Sequence, residues 1–395
     1  MTYSVDAVIG AGFGDEGKGL TTDYLAHRYI QKTPNVVVVR YNSSAQAGHT
    51  VTTDNARHVF HHWGSGALAG AATHLGPHFA IHPMLFREET EQLRLLGARL
   101  DLTVDPRCPV TLPFDMAINQ ALEQSRGALR HGSCGVGFGE TLERHQHAAY
   151  ALCVGEISTL SEVEFQARID QMLEQYVPQR LKQLDLNDAL PQALYQADFW
   201  ARYWQDVQLF LAQAHIVNSE NLSSWDHIIF EGAQGLRLDE ELGDFPHVTR
   251  SKTGLPWIIE IMEEGNLHDL NVYYATRSYV TRHGAGPLPN EKLRAPELFE
   301  DATNQPNTWQ GTLRFAPLDE QVLADFIQRD LHRVDQTRIQ NFGIMVSCLD
   351  HWEDRIWTLR HQHHRDNFGK YLQALLKGAF RLESFGPTRS TMRSF

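Results

Sequence analysis

The sequence predicts an α/β fold: a large, mostly parallel central sheet with a P-loop-like N-terminal unit and with helical and small subdomain insertions. Three observations predict it. A short apolar strand at residues 5–9 runs into a glycine-rich turn and then into a helical pattern over residues 17–30. A β-branched run at residues 36–41 suits a strand buried on both faces, the mark of a parallel sheet with helices on either side. Short apolar strands at residues 227–230, 272–275 and 343–347 each lead into a polar or glycine-containing loop, where such folds carry function.

Between residues 156 and 214 the pattern changes to long amphipathic helices rich in Leu, Gln, Glu and aromatics, read as a helical insertion in a single domain spanning residues 1–395. No internal repeat, low-complexity tract or flexible linker interrupts the chain.

With 395 residues and 42% hydrophobic content the chain can bury a substantial core. It has no apolar run long enough to span a bilayer and no leader-like N-terminus, so a cytoplasmic location without membrane contact is expected. The formal charge of −13 argues against nucleic acid as a partner, since backbone binding requires a basic surface. Small anions remain possible ligands, because a local cluster of amides, lysine and metal binds phosphate whatever the global charge. Cys108, Cys134, Cys153 and Cys348 show no paired spacing and are read as free thiols. Histidines are numerous, at 21, but neither the run near His361 nor the pair His145 and His147 completes a metal-ligand set.

The first turn, Gly12-Phe13-Gly14-Asp15-Glu16-Gly17-Lys18-Gly19, fits the G-x-x-x-x-G-K core of a phosphate loop and lies between strand and helix, as that motif must. Backbone amides of the loop, the helix N-terminus and Lys18 can together hold phosphate oxygens. Two departures stand out. Gly19 replaces the hydroxyl residue that ligates magnesium in such loops, and Asp15 and Glu16 place carboxylates where phosphate binds. A carboxylate there is tolerable as a magnesium ligand or as a base facing another substrate, which makes Asp15 the first candidate for chemistry.

Further islands follow. Gln46-Ala47-Gly48-His49-Thr50 allows close ligand approach, and His49 reads either as a donor to a γ-phosphate or as a buried, satisfied histidine. The run from Gly132 through Ser133 and Cys134 to Gly139 offers hydroxyl and thiol side chains for a phosphate or base pocket. Gln234, in Glu231-Gly232-Ala233-Gln234-Gly235, presents donor and acceptor to an oxo-purine or amide edge. Thr281-Arg282-His283-Gly284-Ala285-Gly286-Pro287 joins a charged pair to a glycine-rich turn.

These islands, together with Pro246-His247-Val248-Thr249, resemble adenylosuccinate synthetase in order and approximate spacing over nearly the whole chain. The resemblance implies a homodimer and a ligase of purine biosynthesis. In that family GTP phosphorylates the 6-oxygen of IMP, and aspartate displaces the phosphate to give adenylosuccinate. It implies Asp15 as the base and a magnesium ligand, the Gly48 carbonyl as a second metal ligand, and His49 as the aid to γ-phosphoryl transfer. Gly14, Glu16, Gly17, Lys18, Gly19, Gly48 and Thr50 fall on its phosphate and nucleotide positions. Gln46, Ser133, Cys134, Gln234 and Thr249 fall at its purine-substrate site.

The family's asparagine and threonine are here Gln46 and Cys134. Its arginine-rich amino-acid loop is reduced to Gln310-Gly311-Thr312-Leu313-Arg314, leaving Thr312 and Arg314 to bind aspartate. At the guanine-reading end, Asp350 is kept without the family's lysine, and Ser384-Phe385-Gly386-Pro387 supplies the other base-contacting turn, so GTP is expected with ATP as the alternative. Two further readings stay open. One is a relative that makes 2-aminoadenylosuccinate from GMP or dGMP with ATP or dATP; the other is a nucleotide-binding regulator that has lost ligase activity.

Overall fold

The computed structural model describes residues 4–186, 190–293 and 311–395. Ten strands form one sheet: β1 (Ser4–Gly10), β2 (Val36–Ser44), β3 (Ala72–Ala80), β4 (Leu102–Val104), β5 (Ala214–Ile216), β6 (His227–Glu231), β7 (Leu270–Arg277), β8 (Ile339–Ser347), β9 (Phe380–Ser384) and β10 (Met392–Ser394). Their order is β10-β9-β8-β7-β1-β6-β2-β3-β4-β5. Every pairing is parallel except that of β9 with the edge strand β10. The predicted fold class is the one observed. The five expected strands are β1, β2, β6, β7 and β8, which stand side by side at the centre of the sheet. All nine residues of β2 are buried, as its β-branched run requires.

Helices cover the sheet: α1 (Lys18–Ile30), α2 (Pro83–Leu95), α3 (Pro113–Arg126), α4 (Phe138–His145), α5 (Glu162–Gln171), α6 (Val177–Gln183), α7 (Ala197–Gln213) and α8 (Leu255–Glu264). Helices α3 to α7 all fall between β4 and β5, which are adjacent at the sheet edge. This excursion packs around Phe86, Phe114, Phe165 and Trp200 in one apolar cluster, while Val37, Ile228, Ile258 and Val272 belong to another. No described helix is long and apolar enough to cross a membrane. The four cysteines are free thiols.

Parallel strands deliver their loops to one edge, and those loops are cross-tied. Asn42, fully buried near the end of β2, accepts from the Ala233 amide at 2.9 Å and donates to Ser251 Oγ at 3.0 Å and the Lys252 carbonyl at 3.3 Å. It thereby fixes both the turn after β6 and the chain around residues 249–252. Asn42→Leu keeps the size but leaves the Ala233 amide and two acceptors without a partner. It should lower unfolding free energy by about 2 kcal/mol in urea titrations, the cost of stranding buried polar groups. An unchanged midpoint would show that the tie is not used.

Candidate active site

An open cleft of about 1130 Å³ lies at the carboxyl ends of the central strands. Asp15, Lys18, Gln46, Gly48, His49, Thr50, Ser133, Cys134, Gln234 and Thr249 all line it, with Gly14. Residues more than two hundred positions apart in sequence thus share one space.

The first wall is the turn from β1 into α1. Gly17 caps the helix with a φ of 89°, a left-handed conformation in which a side chain would be strained. Gly19 has a different reason: a Cβ there would sit 3.1 Å from both the His49 Cβ and the Thr50 carbonyl and 3.2 Å from Ser65 Oγ. This close packing accounts for the absence of the usual Ser or Thr.

Glu16 turns its carboxylate into the loop, where it accepts from the amides of Gly14 at 2.8 Å and Gly12 at 3.1 Å and pairs with Lys18 Nζ at 3.2 Å. The amides that a phosphate loop turns on its ligand are here partly taken by the loop's own carboxylate. Burial pushes Glu16 up to about 7, against the pull of Lys18 and the Gly14 amide. Asp15, the next carboxylate, faces the cleft with its side chain 24% exposed, and His283 Nε2 lies 3.1 Å from its Oδ2. Burial raises its proton affinity, but the hydrogen bond and charge of His283, with Arg277 and Lys18, outweigh burial and leave Asp15 below its ordinary range. It is ionised at neutral pH.

The second wall is the two-stranded ribbon that begins at His49. His49 is buried, and its Nδ1 lies 2.8 Å from Glu231 Oε1 at the end of β6. Glu231 also accepts from the Ser65 amide at 3.0 Å and from Ser65 Oγ, with Arg40 at 3.8 Å. Burial favours protonation of Glu231, yet His49, Arg40 and Ser65 bring it down to about 2, while burial holds His49 down at about 4. His49 is therefore neutral, with Nδ1–H given to Glu231 and Nε2 without a hydrogen-bond partner among the described residues. Its fully satisfied reading is excluded on one nitrogen only. Glu231 and His283 stand within sequence motifs that assign them no role, and Ser65 and Arg40 lie outside those motifs.

The third wall holds the expected purine residues. Gln46 Nε2 donates to Ser43 Oγ at 2.8 Å and Thr249 Oγ1 at 3.3 Å, and its Oε1 accepts from Cys134 Sγ at 3.6 Å. Gln46, Cys134 and Thr249 are thus one network, and burial pushes the Cys134 thiol up to about 11, so it is a neutral donor. Ser133 turns instead to Asn119, to which its hydroxyl donates at 3.1 Å. Gln234 takes a φ of 64° in the turn after β6.

The remaining candidates lie outside this lining. Asp350 is exposed just beyond β8, Ser384 ends the neighbouring β9 and Gly386 and Pro387 follow it, so the topology brings both base-reading candidates to one edge. Ser347 Oγ donates to the Glu16 carbonyl at 3.0 Å, tying that edge to the phosphate loop. Arg314 spends its guanidinium within the protein: on Glu291 at 3.0 Å and on the carbonyls of Gly284 and Gly286, both at 2.9 Å. Thr312 is exposed just before it, and Gln310 lies outside the described residues.

Among the described residues no group of three or more His, Cys, Asp or Glu side chains is arranged to hold a metal alone. One ionised carboxylate and the Gly48 carbonyl in the same cleft instead fit a hard cation that completes its shell with water and ligand phosphates, the habit of magnesium.

The family model described as adenylosuccinate synthetase matches residues 7–314. Adenylosuccinate synthetase of Ectopseudomonas mendocina is 31% identical over 302 residues, covering 74% of this chain and 65% of that protein. The enzyme of Saccharophagus degradans is 32% identical over 295 residues, covering 72% and 64%. The matches thus span just under two thirds of these relatives' lengths. Among solved structures, fully ligated adenylosuccinate synthetase from Plasmodium falciparum superposes with a TM-score of 0.76 over 98% of this chain and 99% of that one, at 19% identity. Succinoaminodeoxyadenylate synthetase of cyanophage S-2L does so with a TM-score of 0.64 over 100% and 95%, at 14% identity. The two structural neighbours cover nearly the whole chain, while the family-model match ends at Arg314 and takes in every cleft residue named above. On these grounds the chain belongs to the adenylosuccinate synthetase family.

Proposed function

We propose that this protein is a carbon–nitrogen ligase that phosphorylates the 6-oxygen of a purine nucleotide, IMP foremost, with GTP and then replaces the phosphate by the amino group of aspartate to give adenylosuccinate. The observation that carries this reading is the meeting of an ionised Asp15, a neutral His49 with Nε2 free and the network of Gln46, Cys134 and Thr249 in one cleft.

An amide-like oxygen is a poor leaving group until it is phosphorylated. Asp15 takes the purine N1 proton, which raises electron density on the 6-oxygen for attack on the γ-phosphorus. Gln234, Gln46, Cys134 and Thr249 orient the purine nucleotide, and Lys18 attracts the phosphates. His49 takes a proton from solvent in the open cleft as phosphate charge approaches Nε2; its Nδ1–H stays on Glu231 while Nε2–H donates to the transferring group. Asp15 and the Gly48 carbonyl would hold magnesium, which would supply neutralisation of the charge on the phosphate oxygens. Asp350 and the turn with Ser384, Gly386 and Pro387 read the triphosphate base, ATP being the alternative to GTP. Arg314 and Thr312 take the donor's carboxylates, Arg314 by giving up Glu291. We place the enzyme in the cytoplasm as a homodimer acting on small molecules.

Ultraviolet difference spectra test the reading, because N6-succinylation shifts purine absorbance. The cyanophage neighbour was solved with dGMP and dATP, so the arms are IMP, GMP and dGMP, each with GTP, ATP and dATP, plus aspartate and magnesium. A shift that needs all components is expected, strongest with IMP and GTP. Triphosphate binding with no shift in any arm would identify a regulator instead. Asp15→Asn should abolish turnover while leaving triphosphate binding measurable by calorimetry; retained turnover would refute the base assignment. His49→Asn should lower kcat by about 10²–10³ with a smaller change in nucleotide affinity, as for a contact made in the transition state. Loss of affinity alone, with kcat intact at saturation, would contradict that role. Arg314→Leu should raise KM for aspartate about tenfold or more, the scale of a lost charge-assisted hydrogen bond. Preferred use of alanine, glycine or ammonia in competition with aspartate would overturn the donor while sparing the phosphorylation step.

A further inference from the structure

Asp15 is held from two sides. Its φ of 49° places it in the left-handed region, and Arg277 Nε donates to its carbonyl, which fixes the backbone. The side chain is fixed separately by His283 Nε2 on Oδ2 at 3.1 Å. Oδ1 receives no hydrogen bond from the described residues, and Asp15 lines the cleft.

His283 is itself on a rigid support. It follows the strand Val280–Arg282, which pairs antiparallel with Arg314–Ala316. Arg282, buried, donates to the Pro287 carbonyl at 2.7 Å, and Arg314 donates to the carbonyls of Gly284 and Gly286. Two guanidinium groups from paired strands therefore pin the turn that starts at His283.

We propose that His283 is a positioning residue: by holding Oδ2 of Asp15 it turns Oδ1 into the cleft as the ligand for a divalent cation. This rests on the reading of Asp15 as the metal-holding carboxylate. A carboxylate free to rotate presents either oxygen in many directions and loses that freedom on binding metal. One whose second oxygen is already hydrogen-bonded has lost it beforehand, and removing such an outer partner typically weakens metal binding 10- to 100-fold. Arg314 gains a role here that its sequence position did not suggest, as the staple beneath His283.

The test reads metal binding directly, with Mn²⁺ as the probe and water-proton relaxation as the signal, on the full chain with a non-hydrolysable GTP or ATP analogue at saturation. His283→Val should weaken enzyme-dependent Mn²⁺ binding by about 10- to 100-fold. His283→Gln, which keeps an N–H donor, should recover most of the wild-type affinity, a rescue that a merely space-filling role would not produce. If the valine variant loses its native circular dichroism, His283→Ala takes its place. Unchanged Mn²⁺ affinity in the ring-less variants overturns the proposal, and tighter binding does so by showing that the imidazole competes with the cation. Asp15→Asn separates metal ligation by Asp15 from its positioning by His283. Mn²⁺ binding that survives that change refutes the Asp15 assignment, whereas binding lost with Asp15→Asn but indifferent to His283 refutes only the positioning role.

Discussion

A carboxylate sealed from solvent must be answered by protein, and Glu231 is answered from three elements at once. It ends β6, between β1 and β2, where the loops that form the cleft converge. Imidazole from the ribbon after β2, hydroxyl and amide from Ser65, and the guanidinium of Arg40 close around it. Removing any one leaves a charge whose desolvation the others cannot offset. The orientation of His49, the seat of Ser65 beside Gly19 and the depth of Arg40 in β2 all follow from meeting this single demand.

The phosphate loop obeys a related constraint with a different solution. The amides of Gly12 and Gly14 point inward at Glu16, so the loop carries an acceptor of its own. Lys18 is buried against that carboxylate instead of extending freely. The outward face of the loop is then left to Asp15. Two adjacent acids serve opposite ends: one is buried with its proton affinity raised, the other lines the cleft as an anion.

What the sequence made legible was local. Buried strands announce themselves by β-branched runs, and the loop between β1 and α1 by its glycines, so the centre of the sheet and the candidates Asp15, Lys18 and His49 could be read directly. The flanking strands were harder, since β3 contains Gly76-Pro77 and β4, β5 and β10 are three residues long. The partners were illegible for a physical reason. Glu231 lies 182 positions from His49, and Arg277 lies 262 from Asp15; nothing in residue type or spacing marks such pairings. Counting arginines along the amino-acid loop likewise could not show that Arg314 spends its hydrogen bonds on Gly284, Gly286 and Glu291.

The helical excursion between β4 and β5 begins and ends on neighbouring strands at one margin of the sheet, Leu102 pairing with Ala214. It leaves and re-enters the scaffold at that one margin. Yet Asn119, Cys134 and the wall facing Thr249 are carried on this excursion, whereas Asp15, Lys18, His49 and Glu231 stand on the sheet's own loops. Recognition is therefore shared between the two, because Gln46, Gln234 and Thr249 also stand on the sheet's own loops. A change within the excursion thus meets the network of Gln46, Cys134 and Thr249 at Cys134, while Gln46 and Thr249 stay in place on the scaffold.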